Sequence, residues 1–113
     1  MSGSGFYPPP IYKLPRIDIK AEGVVGYLLQ GLDSQTVFFE LSEGSEVQPH
    51  SHEAQWGVML DGEMELTVDG RRRVYTRGET YFIPAGTIHS GRAVTDCKVL
   101  DVFFTQARYA TKR

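Results

Sequence analysis

The sequence predicts an all-β protein, a sandwich or barrel of short antiparallel strands in a single domain. Three observations carry that expectation. Runs rich in β-branched and aromatic residues recur at short intervals between Gly, Pro and Asp turn signals, which is the spacing of sandwich and barrel folds. Within residues 63–68 the apolar Met64, Leu66 and Val68 alternate with Glu63, Glu65 and Thr67, so one strand face is buried and the other wet. Helix signals are nearly absent, and only residues 105–110 offer a terminal turn.

Residues 1–10 hold Ser-Gly-Ser-Gly and then Pro8, Pro9 and Pro10, a flexible start leading into polyproline-like chain where no helix is expected to begin. Residues 11–22 form an arm whose apolar residues between Ile11 and Ile19 suit pairing with a sheet edge, on its own barrel or a neighbour's. The barrel domain takes residues 23–113, with strands expected at 24–29, 36–41, 55–60, 63–68, 73–76, 80–83 and 98–104. Asp69-Gly70 has the chemistry of a type I′ hairpin turn, and Asp61-Gly62 shares it. Further on, Gly78 permits a turn into the next strand, Pro84 ends its ladder, and Gly86 permits the loop that returns His89. There is no repeat, linker or second domain.

Composition narrows the function. A chain of 113 residues supports one domain with a modest core. Its formal charge of −2 argues against nucleic acid and acidic membranes as partners. No apolar run reaches membrane-spanning length, and the N-terminus has no secretory core, so the cytoplasm is the expected location. Cys97 is the one cysteine. Lying in a strand-like run, it is read as a buried, inert thiol.

All three histidines fall into one pattern, His50-Ser51-His52 and a distant His89. Residues two apart on a strand share a face, so the three imidazoles read as metal ligands with positions left open for water or substrate. Imidazole suits Zn, Fe, Ni, Cu and Mn alike.

The flanking residues resemble the two conserved motifs of the cupin superfamily: Gly44, His50, His52, Gln55 and Gly62 the first, Gly78, Pro84, Gly86 and His89 the second. Gln55 stands where the usual metal-binding Glu would be, after a shortened connection, and Ala93 replaces a common Asn. The resemblance implies an RmlC-like jelly roll, a conical β-barrel of two antiparallel sheets, around one divalent transition metal ion (Zn, Ni, Fe or Mn). His50 and His52 would project from one strand, Gln55 from its neighbour, and His89 from across the barrel mouth. With a neutral amide as fourth ligand, the ion keeps its full charge and is the stronger Lewis acid.

Residues 100–108, Leu-Asp-Val-Phe-Phe-Thr-Gln-Ala-Arg, resemble the C-terminal segment of the small pectin-degradation cupins, which convert 4,5-unsaturated uronates into linear ketonised sugars. That likeness implies Asp101 as the acid or base, Phe103 as a pocket residue and Arg108 as a clamp for a substrate carboxylate. The gap from Phe103 to Arg108 is one residue longer than in that pattern, so Arg108 is read equally as a solvated terminal residue. From its neighbours alone, Asp101 faces either the cavity or water. Met59 and Tyr81 are expected to line the pocket with Phe103, while Trp56, Phe38, Phe39 and Phe82 fit barrel core or a dimer interface. Three functions follow: a Lewis-acid enzyme on a small sugar acid or related hydroxy or keto acid, a non-haem iron dioxygenase, and a non-catalytic metal- and ligand-binding module. The expected partners are a carboxylate-bearing small molecule and a second copy of the chain as a homodimer.

Overall fold

The computed structural model describes residues 5–112. Nine strands form two antiparallel sheets: β1 (Val24–Gln30), β2 (Gln35–Leu41), β3 (Glu46–His50), β4 (Gln55–Asp61), β5 (Met64–Val68), β6 (Arg71–Tyr75), β7 (Thr80–Ile83), β8 (His89–Ala93) and β9 (Cys97–Phe103). One sheet runs β1-β2-β9-β4-β7 and the other β3-β8-β5-β6. The fold is the all-β, two-sheet jelly roll that the motifs imply.

Period-two alternation builds the core. Along β2, Val37, Phe39 and Leu41 turn inward, and along β9 Cys97, Val99, Asp101 and Phe103 do so. Val37, Met59, Ile83 and Val99 are almost wholly inaccessible between the sheets. Cys97 is buried too, its thiol pushed up by burial. At the β5–β6 hairpin, Asp69 (φ 50°) and Gly70 (φ 79°) both take positive φ, as a type I′ turn requires. Asp61-Gly62 differs. Only Gly62 has positive φ, because the β4 register slips between Met59 and Asp61 and absorbs the change of direction.

Two strands escape the sequence pattern. Glu-Val-Gln-Pro-His in β3 and His-Ser-Gly-Arg-Ala in β8 lack an apolar alternation, and their pairing with each other supplies the order. Pro49 sits in the register shift of β3, a sheet edge, where its missing N–H breaks no ladder.

The termini pack on the barrel. Residues 1–4, part of the segment expected to be flexible, lie outside the described residues. A short helix, α1 (Pro9–Tyr12), does begin within the proline run, contrary to expectation. Proline is preorganised for a helix's first turn, where its missing N–H has no partner to lose. Tyr7 is buried, its hydroxyl donating to the Phe39 carbonyl (2.7 Å). The arm folds on its own barrel: Ile17 is 2% exposed, bridges to Thr111 and packs over Gly26, where a side chain would strike it. Residues 105–110 make no helical turn. Instead the Gln35 amide receives the Tyr109 N–H (2.9 Å) and donates to the Tyr109 carbonyl (3.1 Å), holding the tail extended.

Candidate metal centre

His50 ends β3 and His89 begins β8, and the two are register partners in one sheet. His52 follows two residues later, in the loop before β4. The His50 ring lies 4.2 Å from that of His89 and 5.1 Å from that of His52, centroid to centroid, and His52 and His89 are 4.8 Å apart. One ligand atom from each falls within 4.8 Å of the others, so the three can hold a metal ion. The arrangement differs from the expected one in three respects. His52 lies in the loop beyond β3 and not on the strand of His50. His89 comes from the adjacent strand of the same sheet, and Gln55 from the opposite sheet, because the chain crosses between sheets after His52.

Each imidazole is oriented by a carbonyl next to it in sequence. His50 Nδ1 meets the Gln48 carbonyl at 2.8 Å, His52 Nδ1 that of Glu53 at 2.6 Å, and His89 Nδ1 that of Thr87 at 2.9 Å. A carbonyl only accepts, so Nδ1 carries the proton and Nε2 is left with its lone pair. The Nε2 atoms of His52 and His89 are buried with no partner, as is Gln55 Oε1. Buried acceptors left without donors are what a divalent ion answers, and the donor set fits one. Burial lowers the His50 pKa and takes His52 down to about 4, with backbone hydrogen bonds opposing and the Arg108 charge adding. Neutral imidazoles are the ligating form.

Beside the histidines lies Asp101, 4% exposed. It faces the cavity. The Tyr81 hydroxyl donates to its Oδ1 at 2.6 Å. Burial raises the Asp101 pKa to about 6, against hydrogen bonding from Tyr81 and, more weakly, from Gln55. This contact crosses a strand: β4 runs between β9 and β7, and Gly57 pairs with Asp101 on one side and Tyr81 on the other. A Cβ at Gly57 would collide with both side chains. Sequence reasoning missed this pairing of Tyr81 with Asp101, although a glycine inside a strand is the usual mark of such a close approach.

The barrel cavity, about 60 Å³, is lined by the three histidines, Gln55, Tyr81, Asp101 and Phe103 among apolar core residues. Met59 does not line it. It faces inward on β4 like Gln55 and Gly57 but lies farther along the strand, packed between the sheets at 1% exposure. Ile19, Val47, His50 and Tyr109 also border a wider polar groove of about 720 Å³. Arg108 lines that groove, half-buried, its guanidinium 4.4 Å from the Tyr109 ring centroid and its Nε buried without a partner.

No curated protein sequence matches the chain significantly. Among solved structures it resembles KdgF from a Halomonas species, at 25% identity and a TM-score of 0.75 over 86% of this chain and 90% of that one. It also resembles an RmlC-like cupin from Shewanella frigidimarina, at 26% identity and a TM-score of 0.76 over 86% and 87%. Bacillus subtilis oxalate decarboxylase shares the fold at 22% identity, with a TM-score of 0.69 over 86% of this chain and 28% of that one. The cupin domain is matched over residues 37–103, more than half the chain and the stretch that carries all three histidines, and the protein belongs to the cupin family.

Proposed function

We propose that the protein is a mononuclear metal-dependent enzyme that isomerises a small unsaturated uronate or a related hydroxy or keto acid. The observation that carries this reading is Asp101, a buried carboxylate that shares its cavity with three imidazoles and an unpartnered amide oxygen. A bound divalent ion would supply Lewis acidity toward a substrate oxygen. Opening an unsaturated uronate ring takes a proton from the anomeric hydroxyl and returns one to carbon, a transfer that one carboxylate can serve as base and then acid. Tyr81 donates to Oδ1 of Asp101 and so fixes the orientation of the carboxylate in the cavity. Arg108 lines the groove beside His50, and in this reading its guanidinium takes the substrate carboxylate. Phe103 walls the cavity and keeps water from the reacting atoms. The likeness to KdgF and that of residues 100–108 to the pectin-degradation cupins support the same substrate class.

The test is to incubate metal-loaded protein with a 4,5-unsaturated uronate and follow loss of the conjugated double bond by ultraviolet absorption and product formation by NMR. Turnover that disappears in Asp101→Asn supports the reading, and no change in the substrate overturns it. The mostly apolar lining of the cavity favours a second reading, an iron dioxygenase, which predicts iron in the purified protein and oxygen uptake with an apolar substrate.

A further inference from the structure

Gln35 stands at an inward position of β2, a primary amide in line with Val37 and Phe39 and only 2% exposed. Burying an amide is costly unless its polar atoms are matched. Here every match lies at the base of the β1–β2 hairpin or on the tail that crosses it. Oε1 accepts the Tyr109 N–H at 2.9 Å, while Nε2 donates to the Tyr109 carbonyl at 3.1 Å and to Gln30 Oε1 at 2.9 Å. Gln30 is the register partner of Gln35, and its own Nε2 donates to the Gln106 carbonyl at 3.2 Å. Two glutamines paired across a hairpin thus clip the tail at Gln106 and Tyr109.

What the clip holds is the rim of the site. Tyr109 lines both the cavity and the groove, with its ring edge-on to those of Phe39 and Phe103. Arg108 lines the groove beside His50, its guanidinium against the Tyr109 ring. Gln35 lines neither space. Among the described residues, the backbone between Phe104 and Ala110 is tied to the barrel by the two glutamine side chains alone. Core packing therefore fixes the Tyr109 ring, and the Gln35 amide fixes the peptide from which Arg108 departs.

Building on the reading of the site as one for a uronate, we propose that Gln35 is a positioning residue: it sets where Arg108 presents its guanidinium and so how tightly an anionic substrate is held. A tail already fixed loses little freedom when substrate binds. A tail released from the clip has to be ordered by the substrate itself, which weakens affinity. Asp101 and its partner Tyr81 stand outside the clip, so the effect falls on KM and spares kcat.

Gln35→Leu nearly keeps the volume and removes the amide. With a 4,5-unsaturated uronate and metal-loaded protein, it is expected to raise KM about tenfold and leave kcat within about twofold. In an Arg108→Ala background the same substitution should change KM by less than about twofold, because the group it positions is gone. A second measurement needs no substrate. Arg108 Nε is buried without a partner, so its proton should exchange slowly with water in NMR spectra of the zinc-loaded wild type and at least about tenfold faster in Gln35→Leu. An equal rise in KM in both backgrounds overturns the proposal, as does unchanged exchange at Arg108. Gln30→Ala, at an exposed position, removes one partner of the Gln35 amide and the tie to Gln106. It should shift both readouts the same way by less, and it decides the matter if Gln35→Leu does not fold. A wild type that leaves the uronate intact sinks the uronate reading alone, and exchange at Arg108 then decides the role of Gln35.

Discussion

His50 and His89 are cross-strand partners at one end of the β3–β8 ladder, their ring centroids 4.2 Å apart. Two of the three imidazoles are thereby held by backbone pairing, and the third hangs on a short loop. Non-ladder positions yield more easily than paired ones, so the set is stiff on one side and adjustable on the other.

Metal binding should therefore stabilise the fold measurably. An ion that binds only the native state adds about 4 kcal/mol at a thousandfold excess over its dissociation constant. Scanning calorimetry with and without a chelator is expected to show a lower midpoint without metal. His89→Ala should abolish the difference, and an unchanged midpoint in wild type would count against the site.

Gln55 and Asp101 should separate the ion from the proton. Gln55→Glu adds a charged oxygen in nearly the same volume and is expected to tighten divalent-metal binding while weakening the ion's Lewis acidity. Asp101→Asn should leave metal affinity nearly unchanged and remove turnover. Because Gln55 and Asp101 share a cavity, the new carboxylate in Gln55→Glu faces a like charge, and the gain in affinity should be larger in the double variant. Calorimetric titration of all four proteins reads this directly. Loss of metal in Asp101→Asn alone would make Asp101 a support of the ion.

In the metal-free protein Asp101 pulls stability one way with pH, and His52, joined by His50, pulls it the other. Asp101 is raised from 3.8 to about 6, so the native state holds a proton that the unfolded chain has released, and stability falls as pH rises through that window. The loss is on the order of 3 kcal/mol. His52 is lowered to about 4, so the unfolded chain binds the extra proton and stability rises over pH 4 to 6.5. Wild type should show a muted profile. Asp101→Asn, measured by urea unfolding at pH 4, 5 and 6.5, should rise more steeply than wild type, and parallel profiles would contradict this.

Ile17 should anchor the arm. At 2% exposure and packed over Gly26, its truncation to Ala is expected to destabilise the protein by about 2–5 kcal/mol. Hydrogen exchange should show faster loss of the Asp18 and Lys112 amide protons, which bond across the arm and tail. Exchange unchanged at both would place the anchor elsewhere.

Much of this was legible in the residues because burial writes itself as alternation. The alternating Met64, Leu66 and Val68 and the Asp69-Gly70 turn place β5 and β6, and the two glycine-flanked motifs place the histidines. The strands that carry His50 and His89 were not legible, since their order comes from each other and not from an apolar face. For the same reason the origin of Gln55 in the opposite sheet was not either. Met59 and Tyr81 look equivalent in sequence and both face inward, but Tyr81 pairs with Gly57 beside the cavity while Met59 lies two residues farther along β4 in the packed core. The Arg108 ambiguity needed three dimensions, where Tyr109 stacks against its guanidinium and His50 shares its groove.

Gly57 bears on how such a barrel can drift over generations. Glycine and alanine codons differ by a single base, and the hydrogen bond from Tyr81 to Asp101 exists only while position 57 has no side chain. On the proposed roles, that base change misaligns the proton carrier and leaves the three imidazoles in place. Descendants that bind metal without turning substrate over are therefore one mutation away, and the residue at position 57 is where to look for them among relatives of this chain.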